Sequence, residues 1–166
     1  MFRLKVWRRI KMAYAKEKYN KVLVALDGTE AQIEVFKRAV LLSISFDASL
    51  VLAQVVDMSR YDLAASYDPD LVNEVCEYAS SELEKLAEEA KNAGVKDVEV
   101  MIKYGSVKNS LVNDIIKPAD PDLVICGDRG LNRIQYALLG SVSNFVAHNV
   151  DCDVLIVKGE HQLSED

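Results

Sequence analysis

Short runs of apolar residues recur along the chain at intervals that leave room for a helix between them. Runs of this length, with few polar interruptions, are typical of parallel β-strands buried on both faces. The first, VLVAL, ends at an Asp-Gly pair that breaks the strand. We predict five strands, at residues 22–26, 50–56, 98–103, 123–126 and 154–157.

Between the strands the apolar positions change to a helical period. Thr29 and Gln32 have the spacing of a capping box, which predicts the start of a helix. The apolar face predicted for this helix comprises Ile33, Phe36, Ala39, Val40 and Ile44. A long second helix is predicted over residues 70–92, with Asp68 as N-cap, Pro69 in its first turn and Gly94 as its left-handed stop.

Two shorter helices are predicted over residues 108–116, stopped by Pro118, and over residues 142–149. Residues 57–67 lack a clear period and are predicted to form a loop. Alternating strands and helices of this length predict a parallel sheet with helices on both faces. Right-handed crossovers restrict it to a doubly wound, Rossmann-like α/β fold, which binds ligands at the carboxyl ends of its strands.

The composition is that of one globular domain. The chain has 166 residues, half of them hydrophobic, and lacks an apolar run long enough to span a membrane. Basic residues interrupt the first residues where a secretory signal would be apolar, so we expect a cytoplasmic protein. The three cysteines and two histidines lack metal-ligand spacing, and we expect no zinc site. Cys76, Cys126 and Cys152 are interpreted as small buried hydrophobes.

Charge is distributed unevenly along the chain. Residues 1–21 carry eight basic residues and one acid, for a charge of +7, whereas the remainder carries -13. An acidic body of this kind argues against a broad nucleic-acid-binding face.

A glycine-rich segment, GDRGLNRIQYALLGSVS, follows the fourth predicted strand. Gly127 is separated by two residues from Gly130, and nine further residues lead to Gly140 and Ser141. Glycines let backbone N–H groups approach phosphate oxygens, and the start of the following helix favours an anion. The segment therefore indicates a phosphate site, although glycine pairs at this spacing also occur by chance in loops.

This G-x2-G-x9-G-[S/T] pattern resembles that of the ATP-binding universal stress proteins. VLVALDGT at residues 22–29, QVVD at residues 54–57, Gly105 and the closing CDVLIVK are also similar to the family, so the resemblance covers about residues 21–158. It implies a five-stranded sheet of order 3-2-1-4-5. It also implies an ATP site in which Ala25 and Asp27 flank the adenosine and the Val55 backbone meets the adenine edge.

The resemblance further implies a set of phosphate-binding residues, namely Gly127, Gly130, Gly140, Ser141, Val142 and Ser143. Arg129 or Arg133 could reach the terminal phosphate. Asp27 has an alternative interpretation, as a residue that only forms a turn with its own backbone, and Gly105 is interpreted as a turn requirement. The chain departs from the family at Asp128, which puts a carboxylate beside the phosphates. Arg129 or a cation such as Mg²⁺ would have to offset the repulsion between this carboxylate and the phosphates, unless the Asp128 side chain points to solvent.

The motifs of several enzyme classes are missing from the sequence. There is neither a G-x-x-x-x-G-K-[ST] loop nor a G-x-G-x-x-G after the first strand. We therefore expect a nucleotide-responsive stress or regulatory protein with slow or no hydrolysis. The alternatives are a nucleotide-free interaction protein and an ATP-using enzyme with an unknown acceptor.

The last predicted strand is expected to lie at an edge of the sheet. The resemblance implies that it pairs across a homodimer, through Val154, Leu155, Ile156 and Val157. The core domain is predicted over residues 21–158, between an N-terminal extension, residues 1–20, and a polar tail, residues 159–166.

The N-terminal extension has the pattern of a basic amphipathic helix, although its first residues also permit a strand. The residues that share its apolar arc are Phe2, Val6, Trp7, Ile10, Ala13 and Tyr14. Three interpretations remain open: docking on the acidic body or on a dimer partner, contact with an anionic membrane, and a disordered tail.

Overall fold

The computed structural model describes residues 19–60, 69–128 and 140–158. Five strands form one parallel sheet in the order β3-β2-β1-β4-β5, as the resemblance predicts. Their bounds are β1 Lys21–Leu26, β2 Ser49–Asp57, β3 Val98–Gly105, β4 Leu123–Gly127 and β5 Asp153–Val157.

Helices cover both faces of this sheet. Their bounds are α1 Gln32–Phe46, α2 Pro69–Ala93, α3, which runs through Val107–Ser110, Leu111–Ile116 and Lys117–Ala119, and α4 Ser141–Asn149. A 3₁₀ turn, Met58–Arg60, follows β2. The predicted fold is confirmed. The predictions for residues 1–18, 61–68, 129–139 and 159–166 lie outside the described residues.

Two hydrophobic cores lie on opposite sides of the sheet. Val22 and Val24 of β1 join the core beneath α1 and α2, whereas Leu23 between them joins the core beneath α3 and α4. All three side chains are fully buried. A strand with apolar neighbours on both sides has no polar face, which explains its continuous apolar sequence.

The structure corrects the predicted start and apolar face of α1. Thr29 does not cap the helix, because its hydroxyl donates to Asp27, while Gln32 accepts from the N–H of Gly28 instead of that of Thr29. Ile33 and Ile44 are exposed. The sheet contacts a narrower arc of the helix, and the buried residues of that arc are Val35, Phe36, Ala39, Val40 and Ser43.

The later helices agree with the prediction except at the end of α3. Gly94 ends α2 with φ +113°, the left-handed stop that was expected. Pro118 does not stop α3, which continues to Ala119 through a π-helical stretch where Lys117 N–H donates to Val112 O. The wider turn relieves the clash that proline makes with the carbonyl four residues earlier.

The cysteines are free thiols, and only Cys126 is buried as expected. Cys76 and Cys152 are half-buried, because Cys76 lies on a partly exposed side of α2 and Cys152 in the short connection before the edge strand. Over the ranges that the structure describes, no three or more His, Cys, Asp or Glu residues are grouped to hold a metal ion. None of the helices described there is long and apolar enough to cross a membrane.

Candidate functional site

The strand order reverses at β1 and β4, and their carboxyl ends form one edge of the sheet. In open parallel sheets, ligands bind in the crevice at this point. β1 and β4 pair up to Val24 and Ile125. Continuing that register brings Leu26 opposite Gly127, so that the turn after β1 and the loop after β4 begin side by side.

The turn after β1 is held by the Asp27 carboxylate. Its Oδ1 accepts hydrogen bonds from the Thr29 backbone N–H at 3.0 Å and from the Thr29 hydroxyl at 2.7 Å. This is the turn-forming role that the sequence left open. Both bonds use one carboxylate oxygen, so Asp27 retains an acceptor, Oδ2, for a ligand hydroxyl. Asp57 and Ser59 repeat the arrangement at the end of β2, at 3.1 and 2.6 Å.

Gly28 lies where three elements approach closely. Its φ of +78° requires glycine, and its N–H donates to Gln32 Oε1 at 2.8 Å. A Cβ at this position would lie 3.2 Å from Nε2 of Gln54, a buried amide among the apolar residues 50–56 of β2. Gln32 therefore holds the turn by a hydrogen bond, and the Gln54 side chain lies close against it.

The Val55 carbonyl points toward this turn. Ser49 N–H donates to Asn20, beside β1, whereas Leu50 N–H donates to Asp97, beside β3. Because the backbone N–H and C=O groups of successive residues point to alternate sides of a strand, those of Val55, like those of Ser49, face β1. Val55 lies one residue beyond the last pair between these strands, Leu26 with Gln54. The Gly28 N–H would continue the ladder, but it donates to Gln32. The Val55 carbonyl thus lies beyond the end of β1, where no donor among the described residues is recorded for it.

The base of the glycine-rich loop is closed by backbone hydrogen bonds. The Asp128 N–H donates to Val157 O at 2.9 Å, and the Asp128 carbonyl accepts from the Gly140 N–H at 2.7 Å. The half-buried Asp128 therefore links the end of β4 both to β5 and to the start of α4. The two ends of the intervening segment, which carries Arg129 and Gly130, are fixed at this edge.

The first turn of α4 presents three backbone donors. Asn144 N–H makes the first helical bond, to Gly140 O at 2.9 Å. The N–H groups of Ser141, Val142 and Ser143 precede it and meet no acceptor within the described parts of the chain. The Ser143 side chain is buried and its hydroxyl donates to Gly127 O, which ties α4 to the end of β4. The Ser141 side chain is exposed.

Cys126 lies next to Gly127 but is not a nucleophile. Burial, and to a smaller extent the nearby Cys152, raise the pKa of the Cys126 thiol to about 12. It is therefore protonated at neutral pH and unreactive. Its side chain belongs to the core beneath α3 and α4.

The structure brings most of the sequence-predicted site residues to one edge. Ala25 and Asp27 end β1, the Val55 side chain is buried so that only its backbone faces the edge, and Gly127 and Gly140 flank the loop. Arg129 and Gly130 lie outside the described residues. Gly105, with φ +140°, ends β3 opposite Asp57 as a turn requirement.

Sequence reasoning missed the contacts that two glutamines make at this edge. Gln54 is a lone polar residue in the run LVLAQVV, and that interruption is the signal that could have identified it. Gln32 was assigned to a capping box. Which backbone group it contacts depends on the φ of Gly28 and could not be read from spacing.

Comparison with known proteins identifies the family. The family model described as "Universal stress protein family" matches residues 18–158. A protein of Staphylococcus saprophyticus named as a universal stress protein is 34% identical over 148 residues, which cover 89% of this chain and 88% of the relative. The chain belongs to the universal stress protein family.

Two solved structures show the same fold. The universal stress protein UspA of Lactobacillus plantarum is 22% identical and superposes with a TM-score of 0.75. The match covers 86% of this chain and 99% of the Lactobacillus chain. A universal stress protein in complex with cAMP is 28% identical, has a TM-score of 0.63 and covers 87% of this chain and 100% of its own.

Proposed function

We propose that this protein binds an adenine nucleotide, ATP in the first instance, at the carboxyl edge of its sheet and acts as a nucleotide-responsive stress or regulatory module. The observation that carries the proposal is the row of three backbone N–H groups, of residues 141–143, at the start of α4, which meet no acceptor among the residues that the structure describes. Such a row is an anion site by its dipole and its donors. The cAMP complex of a relative supports the choice of an adenine nucleotide.

The base and sugar would lie between the ends of β1 and β2. The Val55 carbonyl is an acceptor, which fits the exocyclic amine of adenine and repels the carbonyl that guanine and hypoxanthine carry there. Asp27 Oδ2 would accept from a ribose hydroxyl while Oδ1 continues to hold the turn. Ala25, half-buried at the end of β1, would leave room for the adenosine.

The phosphates would lie against the start of α4. Ser141, Val142 and Ser143 would contribute backbone N–H groups, and the exposed Ser141 would add its hydroxyl. The Ser143 hydroxyl donates to Gly127 O, so its contribution comes through the N–H. Gly127, Gly130 and Gly140 would allow close approach of the backbone, and Arg129 would add positive charge.

A magnesium ion fits this arrangement, because Mg²⁺ is commonly held by one carboxylate together with phosphate oxygens. Asp128, half-buried at the base of the loop, is the carboxylate that would hold it. The ion would neutralise phosphate charge and so offset the repulsion between Asp128 and the nucleotide.

Slow or absent hydrolysis is part of the proposal. Hydrolysis requires a group that activates water next to the phosphates. Cys126 is a neutral thiol, and Asp27 already accepts two hydrogen bonds in its turn. Neither is suited to that role.

The test is to denature the purified protein and identify any released nucleotide by mass, and then to titrate nucleotide-free protein with ATP by calorimetry. We expect co-purified adenine nucleotide or saturable ATP binding. The Gly140→Val variant should bind weakly and remain folded by circular dichroism, because Gly140 has φ -61°, a value that valine also adopts. Absence of both released nucleotide and ATP binding would favour the alternative, a nucleotide-free interaction protein.

A homodimer through β5 is the assembly that we propose. β5 is the outer strand of the sheet, and the side chains of Val154, Leu155, Ile156 and Val157 are only half-buried. Asp153 N–H donates to Asp122, beside β4, and Val157 O accepts from Asp128. By alternation along the strand, the backbone groups of Val154 and Ile156 point outward, toward a second copy.

Proline at an outward position should disrupt this dimer without breaking the ladder to β4. We expect Ile156→Pro to give monomers by light scattering and Ile156→Thr to remain dimeric. A wild-type monomer at micromolar concentration would refute the dimer.

A further inference from the structure

α1 carries a second apolar stripe beside the one that it buries against the sheet. Ile33, Leu41 and Ile44 are 39%, 56% and 43% exposed. At 100° per residue they fall in one arc of about 80°, adjacent to the buried arc that includes Phe36 and Val40. Three large aliphatic side chains aligned on one exposed stripe mark a surface that a further apolar element would cover.

Leu41 and Ile44 of this stripe form part of one wall of a groove between α1 and α2, and Ile33 lies farther along α1. The groove has a volume of about 240 Å³. Its apolar lining consists of Phe36, Val40, Leu41, Ile44 and Ala93, and Lys37 and Glu89 also border it. Near the carboxyl ends of the two helices Ile44 approaches Gly94, where a Cβ would lie 4.0 Å from Ile44 Cδ1.

The N-terminal extension joins the domain at the carboxyl end of α1. The ring of Tyr19 packs edge-on against Phe46, the last residue of α1, with ring centroids 5.0 Å apart. The Tyr19 hydroxyl donates to Asp153 at 2.8 Å, and the N–H groups of Asn20 and Lys21 donate to Asp122. The point from which residues 1–18 extend is thus fixed at the carboxyl end of α1, the end that also carries the groove residue Ile44.

The charges of the two partners are complementary. Within α2 there are seven acidic and two basic residues, whereas residues 1–18 carry seven basic residues and one acid. Four of the seven acidic residues lie in the second half of α2, namely Glu82, Glu84, Glu88 and Glu89. Glu89 also borders the groove. Opposite charges at this density attract, and salt weakens the attraction.

We propose that the apolar arc of residues 2–14 docks in the groove between α1 and α2 of the same chain, with its basic side chains toward α2. The lengths agree, because thirteen helical residues extend about 20 Å and the stripe from Ile33 to Ile44 about 17 Å. Residues 15–18 then bridge to Tyr19 over at most about 14 Å. The surface is separate from the nucleotide site, and the proposal does not depend on it.

Trp7 is the only tryptophan of the chain and lies in the apolar arc, so it reports on docking directly. In the full chain we expect a blue-shifted emission and weak quenching by acrylamide. Leu41→Gln/Ile44→Gln should move the emission toward that of a solvated indole and raise the quenching constant at least about twofold, because the groove loses apolar surface. Tyr104→Gln, which alters a similarly exposed residue of β3, should change neither.

Four outcomes would overturn the proposal. The first is a solvated Trp7 in the wild-type chain, and the second is unchanged fluorescence in the groove variant with its circular dichroism preserved. The third is loss of Trp7 shielding in a folded Ile156→Pro monomer, which would place residues 2–14 on a second copy. The fourth is shielding that appears only with phosphatidylserine vesicles. Shielding that persists in that monomer and weakens with salt supports docking within one chain.

Discussion

The turn after β1 and the loop after β4 begin side by side at one edge of the sheet, but they use their polar groups differently. In the turn, Asp27, Thr29, Gly28 and Gln32 bond to one another. At the end of the loop, the first N–H groups of α4 meet no acceptor within the described residues. Polar groups that bond one another within a turn shape a site but contribute few bonds to a ligand. Backbone donors without a protein acceptor contribute binding energy, since a ligand that bonds them replaces only water. The affinity of the proposed site should therefore come mainly from the start of α4.

The largest effect is expected from Ser141→Pro, which removes one of these donors. Proline suits the first position of a helix, and Gly140 before it has φ -61° and ψ 152°, the conformation that a following proline requires. Loss of one charge-assisted hydrogen bond should weaken ATP binding about 10- to 100-fold by calorimetry. Ser141→Ala, which keeps the N–H, is the control and should lose less. Equal affinities for the two variants would contradict a role for the backbone.

Replacing ATP with ITP tests the contribution from the β1 side. ITP presents a carbonyl oxygen where ATP has its amine, and two acceptors would then face each other at Val55. We expect about tenfold weaker binding, because a polar site rejects the mismatched group. Val55→Ile changes only the buried side chain and should preserve the preference. Equal binding of ITP and ATP would show that the Val55 carbonyl does not contact the base.

Asp27→Asn separates the two roles of Asp27. The amide oxygen can still accept from Thr29, so the turn should survive, and the melting temperature should stay within about 2 °C. A ligand hydroxyl would lose its charged acceptor, and ATP affinity should fall about three- to tenfold. If affinity is unchanged in Asp27→Asn and also in Asp27→Ala, the carboxylate serves the turn alone.

The smallest effect on binding is expected from Ser143→Ala. The variant loses the hydrogen bond to Gly127 O that ties α4 to β4, but it keeps the backbone N–H. We expect the free energy of unfolding to fall by about 1 kcal/mol in urea, with ATP affinity changed less than about threefold. A loss of affinity as large as that of Ser141→Pro would show that the hydroxyl itself binds the phosphates.

Local patterns in the sequence were sufficient to predict a parallel sheet of five strands. Five largely apolar runs became five strands, and β1 and β4 are nearly continuous apolar runs because they are buried on both faces. Gly94 was predicted as a helix stop from the same kind of local chemistry, since few other residues adopt its φ of +113°. The strand order came from the family resemblance, whose motifs span nearly the whole core domain, and the structure confirms it.

The partners of individual polar groups were decided only by the tertiary structure. Spacing assigned Thr29 and Gln32 to a capping box, but the hydroxyl bonds Asp27 and the amide reaches Gly28. The outward Val55 carbonyl depends on where β1 ends beside β2, and the exposure of Ile33 and Ile44 depends on how α1 lies on the sheet. Residue type and periodicity determine which face of an element is apolar. Which donor meets which acceptor depends on neighbours distant in sequence, which only the packed sheet brings together.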